Sequence, residues 1–99
     1  MMRKHDAIVA LTQQADAIRA LGVISLNLFG STRHDGATAA SDLDLFVDYD
    51  LARRFSLVEL VGIKQLLERR LGVPIDVTTR DSLDPLLRDP IEASAERVF

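Results

Sequence analysis

Two aspartates separated by one residue, Asp42 and Asp44, stand at the start of an apolar run near the middle of the chain. Alternate residues of a β-strand point to the same face of a sheet, so this spacing predicts two carboxylates side by side. Leu43, Leu45 and Val47 then share the opposite face, which is typical of a core. Adjacent carboxylates repel each other unless a cation lies between them, and oxygen ligands without cysteine favour Mg²⁺ or Mn²⁺.

A Gly30-Ser31 pair directly follows an earlier apolar run, residues 24–29. Glycine lets backbone N–H groups approach an anion closely, and the serine hydroxyl adds a further donor. A helical turn beginning here would add the attraction of its positive end for phosphate. A phosphate-binding turn beside a carboxylate pair that binds metal indicates phosphoryl or nucleotidyl transfer.

The elements that position these residues follow from periodicity and from residues that begin or end helices. A first helix is predicted over residues 6–21, where apolar residues recur every three or four positions, and Gly22 suits its left-handed end. Strands are predicted over residues 24–29 and 42–48, with a polar loop over residues 32–41 between them.

The second half of the chain contains the clearest helix. Ser56 and Glu59 have the spacing of a capping box, which predicts a helix beginning after Ser56, and Gly72 ends it. A third strand is predicted over residues 74–79.

Within this third strand, Ile75 and Val77 share one face, so Asp76 points to the other and can lie beside Asp42 and Asp44 if the strands are neighbours. Short helices are predicted after it, one capped by Asp81 and another beginning at Asp89-Pro90 with Ile91, Ala95 and Val98 facing inward. The fold class is α/β (α+β): a small mixed β-sheet with helices packed on one face and the acidic cluster on the other.

The spacing of the site residues resembles a known signature. Gly30-Ser31, ten residues and Asp42-Leu43-Asp44 are similar to the G-S-x10-D-x-D motif of the DNA polymerase beta-like nucleotidyltransferase superfamily. The flanking stretch FSLVELVGIKQLLERRLGVPIDVTT resembles the minimal nucleotidyltransferases, the antitoxin-type partners of HEPN-domain toxins. The likeness spans roughly residues 28–99, with one departure: many relatives carry a basic residue where this chain has His34, and here the arginine is Arg33.

The resemblance implies a polymerase beta-like palm fold and a mechanism. Asp42, Asp44 and Asp76 would hold one or two Mg²⁺ ions that also bind the triphosphate of ATP. Asp76 would also help to deprotonate an acceptor hydroxyl, which attacks the α-phosphorus and expels pyrophosphate. Arg33 and His34 either contact the triphosphate or only solvate the loop.

The family expectation is transfer of AMP to a hydroxyl, commonly tyrosine, of a HEPN toxin, which silences the toxin. One alternative is a binding module that neutralises its partner by occlusion, for which the departure at His34 leaves room. Another is a small-molecule, antibiotic-type nucleotidyltransferase that works with a separate acceptor subunit. Retention of all three carboxylates favours catalysis, because clustered charge is costly to keep without a use.

Length and composition limit the remaining possibilities. The 99 residues predict a single domain, 1–99, in which a partner protein or a second copy supplies the acceptor side. The net charge of −3 argues against binding to nucleic acid, and no run is long and apolar enough for a membrane span. The chain lacks cysteine, which fits a reducing cytoplasm.

Overall fold

The computed structural model describes residues 3–29 and 43–99 of the chain. Its helices are α1 (Lys4–Gln13), α2 (Ala15–Ala20), α3 (Leu57–Leu71) and α4 (Pro85–Ser94). Its strands are β1 (Val23–Phe29), β2 (Leu43–Tyr49), β3 (Ile75–Thr79) and β4 (Glu96–Arg97), and a 3-10 turn over Arg80–Ser82 follows β3. None of the described helices combines the length and apolar character needed to cross a bilayer.

The strands form one mixed sheet in the order β3-β2-β1-β4. β1 pairs with β2 and with β4 in antiparallel fashion, whereas β2 and β3 run parallel. The parallel pair requires a crossover connection, which α3 provides. The predicted α+β class and mixed sheet are confirmed.

The core lies on one face of this sheet, beneath α1, α2 and α3. The predicted inward residues of β2 and β3 are found there: Leu45, Val47, Ile75 and Val77 are buried, and Leu43 is partly buried. On the opposite face, alternation and strand register bring together the side chains that we call the polar face: Ser25, Asn27, Phe29, Asp44, Phe46, Asp48, Asp76 and Thr78.

The boundaries of α3 match the sequence signals. Ser56 and Glu59 form the expected capping box. The Ser56 side chain accepts a hydrogen bond from the backbone N–H of Glu59, and the Glu59 side chain accepts one from the backbone N–H of Ser56. Gly72 follows the helix with a φ of 75°, a left-handed conformation that glycine adopts without steric cost. Ile63 and Leu67 lie on the inner face of the helix and are fully buried.

The first predicted helix is interrupted. Gln14 separates α1 from α2, because its N–H bonds to the carbonyl of Leu11, three residues back, and its ψ of 7° leaves the helical range. The apolar stripe nevertheless continues across the break, since Leu11, Ala15 and Ile18 are all buried. Periodicity alone therefore could not detect the interruption.

The C-terminal prediction was wrong in two respects. Asp84, not Asp81, caps the helix by accepting a hydrogen bond from the N–H of Leu86, and Pro90 lies inside α4 instead of beginning a new helix. The chain then becomes extended and forms β4, a fourth strand, so Val98 reaches the core from an extended segment. A strand of two residues is too short for alternation to reveal.

Candidate active site

Asp44 and Asp76 are neighbours on the polar face. The parallel register of β2 and β3 pairs Asp44 with Asp76, flanked by the core pairs Leu43–Ile75 and Leu45–Val77. Paired residues of adjacent strands share a face, and strands lie about 4.8 Å apart, so the two carboxylates project side by side. The sequence expectation for these two aspartates agrees with this geometry.

The environments of the two aspartates differ. Asp76 is exposed, whereas Asp44 is only 7% exposed. Asp44 lies in the middle of the row, between Asp76 on β3 and Phe29 on β1, its antiparallel partner. Alternation therefore assigns Asp44 to this face of the sheet but does not show what flanks it there.

The other predicted site residues, Gly30, Ser31, Arg33, His34 and Asp42, lie outside the described residues. Within residues 3–29 and 43–99, no group of three histidine, cysteine, aspartate or glutamate side chains is arranged to hold a metal ion. The described part of the chain thus contains two of the three predicted ligands, Asp44 and Asp76.

A third aspartate of the polar face, Asp48, is engaged elsewhere. Arg80 donates from Nε to Asp48 Oδ1 at 2.7 Å and from Nη2 to Oδ2 at 2.9 Å. The hydroxyl of Ser25 donates to the same Oδ2 at 2.6 Å. The hydrogen bonds from Arg80, followed by the one from Ser25, lower the pKa of Asp48 below its usual value although partial burial opposes the shift.

The guanidinium of Arg80 also connects the sheet to α4. Its Nη1 donates to Glu92 on that helix, and its central carbon lies 4.7 Å from the centroid of the Phe46 ring. Asp48 first, and then Glu92, raise the pKa of Arg80. Asp48 is thus engaged in a network with Arg80 and Ser25, and Asp44 and Asp76 are the two carboxylates that the strand register places side by side.

The sequence prediction did not include this network. A signal was present, since Asp76, Thr78 and Arg80 alternate along β3 and beyond its end, which assigns all three to one face. Pairing of Arg80 with Asp48 additionally requires the parallel register, which the sequence does not specify.

A comparison with protein-family models matches residues 11–98 to the model described as a nucleotidyltransferase domain. A protein of Methanocaldococcus jannaschii named "Putative protein adenylyltransferase MJ0435" is 39% identical over 70 residues, which cover 71% of this chain and 73% of that protein. Several further proteins of the same organism carry the corresponding name.

Solved structures agree in fold. The structure of a "putative minimal nucleotidyltransferase" superposes with a TM-score of 0.64 at 28% identity, covering 95% of this chain and 98% of that one. A chain from the complex of a tri-AMPylated Shewanella oneidensis HEPN toxin with an MNT antitoxin superposes with a TM-score of 0.65 at 16% identity. The match covers 93% of this chain and 71% of that one, and it supports the fold alone. The family match extends over nearly the whole chain, so this protein belongs to the nucleotidyltransferase domain family and is an enzyme of that class.

Proposed function

We propose that residues 1–99 form a single minimal nucleotidyltransferase domain that transfers AMP from ATP to a hydroxyl of a partner protein, in the cytoplasm, and so acts as an antitoxin. The proposed partner is a helical HEPN-type toxin, and the proposed acceptor is a tyrosine. The observation that carries the proposal is the pairing of Asp44 with Asp76 on the polar face. The names of the relatives, protein adenylyltransferases, support a protein as the acceptor, and the toxin complex among the structural neighbours is consistent with the proposed partner.

The donor set fits a hard divalent cation. Asp44 and Asp76 supply carboxylate oxygens from adjacent strands, and Asp42, two residues before Asp44, is predicted to add a third. We assign these three residues as ligands of Mg²⁺. The bound ion would offset the charge that develops on the phosphate oxygens during transfer.

The chain's own residues have distinct roles in this proposal. Gly30 and Ser31 would bind phosphate oxygens through backbone N–H groups and the hydroxyl, and Arg33 and His34 would add positive charge beside them. Asp76 is exposed and so is the carboxylate that an incoming acceptor can reach, which suits it to take the proton from the attacking hydroxyl. That hydroxyl oxygen forms a bond to the α-phosphorus as the bond to pyrophosphate breaks.

The proposal is tested by intact-mass measurement of a HEPN-type partner incubated with this protein, ATP and Mg²⁺. We expect a mass increase of one or more AMP units with the wild type. Asp44→Asn removes one carboxylate charge at nearly constant volume and should lose at least 100-fold in transfer rate, in line with the loss of a catalytic electrostatic contact.

Asp48→Asn serves as the matched control. It neutralises another aspartate of the polar face, one that is bonded to Arg80 and is not assigned as a metal ligand. It should retain transfer at close to the wild-type rate. Thermal denaturation of each variant checks that the fold is kept. An unchanged partner mass with the wild type, or full transfer by Asp44→Asn, would contradict the proposal.

A further inference from the structure

The strand that carries Asp76 lies at the edge of the sheet. β3 pairs with β2 on one side, and no described strand lies on its other side. Edge strands are held by fewer backbone hydrogen bonds than central ones, and their ends open most easily. Ile75 is the first residue of β3, so Asp76 lies one residue from the end of an edge strand.

Two side chains of α3 hold this end of β3, and we call Lys64 and Glu68 together the α3 clamp. Glu68 Oε2 accepts a hydrogen bond from the backbone N–H of Ile75 at 2.9 Å. Lys64 Nζ donates to the backbone carbonyl of Ile75 at 2.6 Å and to Glu68 Oε2 at 2.9 Å. Both backbone polar groups of one residue are therefore bonded to a pair of charges one helical turn apart.

The position of Asp76 depends on this residue. A shift of β3 by one residue would exchange its two faces and turn Asp76 toward the core. Fraying at Ile75 would separate Asp76 from Asp44 without unfolding the rest of the sheet, since the far end of β3 is followed by Arg80, which is bonded to Asp48. The clamp acts at the one end of β3 where Asp76 lies.

The contribution of the clamp to stability is modest. The side chains of Lys64 and Glu68 are 43% and 32% exposed, and ion pairs with such exposure contribute little to the free energy of unfolding. The N–H of Ile75, followed by Lys64, lowers the pKa of Glu68, so the acceptor remains ionised at neutral pH.

We propose that Glu68, together with Lys64, is a positioning residue for the candidate metal site: it fixes the start of β3 so that the Asp76 carboxylate stays beside that of Asp44. The inference rests on the proposed function in one respect, the role of Asp76 as a ligand. Lys64 and Glu68 act through the backbone of Ile75, and neither is assigned contact with metal or nucleotide.

The test measures binding of Mn²⁺ alone, as a spectroscopic substitute for Mg²⁺, from the electron paramagnetic resonance signal of the free ion. Glu68→Ala removes the acceptor for the Ile75 N–H and should raise the Kd for Mn²⁺ by roughly tenfold. This is the lower end of the loss in metal affinity that follows substitution of residues supporting metal ligands. Glu68→Gln keeps an acceptor oxygen of the same reach and should stay within about twofold of the wild type.

Glu59→Ala is the matched control. Glu59 is also a glutamate of α3 that accepts a hydrogen bond from a backbone N–H, that of Ser56, but it lies at the other end of the helix. Its loss should lower Tm at least as much as Glu68→Ala does, while leaving the Kd for Mn²⁺ unchanged. Hydrogen exchange of the segment 74–79 is the second readout, and Glu68→Ala alone should accelerate it.

The outcomes separate this inference from the proposed function. Equal Kd values for wild type and Glu68→Ala, or weakening by Glu59→Ala to the same extent, would overturn the positioning role. A wild-type protein that binds no Mn²⁺ would overturn both ideas. Weakened Mn²⁺ binding by Glu68→Ala with no AMP transfer by the wild type would support the clamp and reject the proposed reaction.

Discussion

At the scale of single residues, hydrogen bonds distinguish the aspartates of the polar face from one another. Asp44 and Asp48 project from the same face of β2, yet Asp48 is bonded through both oxygens to Arg80 and through one to Ser25. Asp76, one strand away from Asp44, is exposed and makes no hydrogen bond or ion pair within the described part of the chain. The hydrogen bonds of Asp48 give it a structural role, and the strand register makes Asp44 and Asp76 the candidate catalytic pair.

The pairing of Asp48 with Arg80 predicts a specific pH dependence of stability. The folded state holds the pKa of Asp48 below its ordinary value of 3.8, so the pair stabilises the fold above that pH and loses this effect as the pH falls through the lower folded pKa. Asp48→Asn should therefore cost about 1 kcal/mol at neutral pH, a value reduced for its partial exposure. The cost should fade below pH 3.8.

Chemical denaturation of both proteins across this pH range measures the difference directly. Asp89→Asn is the control, because Asp89 is exposed on α4 and its neutralisation changes the net charge by the same amount. A cost for Asp48→Asn that stays constant down to about pH 2 would mean that packing, not the charge on Asp48, carries the effect.

At the scale of elements, α3 contains one glycine, Gly62, and is followed by another, Gly72, and the structure predicts opposite effects of substituting them. Gly62 lies inside the helix, and a Cβ added there meets no atom within 4 Å, so Gly62→Ala should stabilise the protein by about 1 kcal/mol through helix propensity. Gly72 has a φ of 75°, so Gly72→Ala should destabilise it by about 1–2 kcal/mol. Thermal denaturation reports both, and a lower Tm for Gly62→Ala or an unchanged Tm for Gly72→Ala would contradict the corresponding prediction.

The elements that the sequence predicts well are those with strong local signals. The ends of α3 follow from Ser56, Glu59 and Gly72, and the faces of β2 and β3 follow from alternation, because each depends on residues only a few positions apart. β4 is different, since its two residues form a strand only because they pair with residues of β1 that lie 68 and 70 positions earlier in the chain. Local sequence patterns do not indicate such long-range pairing. For the same reason they did not predict the burial of Asp44 or the contact between Arg80 and Asp48.

At the scale of the whole molecule, the two faces of the sheet carry different kinds of side chain. Its core face packs against α1, α2 and α3, whereas the polar face carries the candidate catalytic pair. A substitution on the polar face can therefore change chemistry while the core remains intact. Substitutions on the polar face can therefore be used to test the proposed modification of a partner against occlusion of that partner.

The last prediction concerns the state of the partner after the two proteins are separated. A complex with a HEPN-type partner is incubated with Mg²⁺, with or without ATP, and the partner is then purified away and assayed. If AMP is transferred, the partner should stay inactive only when ATP was present, because a covalent adduct survives separation and a docking contact does not. Asp44→Asn should still bind the partner, because removal of one carboxylate leaves the rest of the surface unchanged, yet its partner should regain activity in both arms. Recovery of activity after incubation of the wild type with ATP would instead identify occlusion as the mechanism.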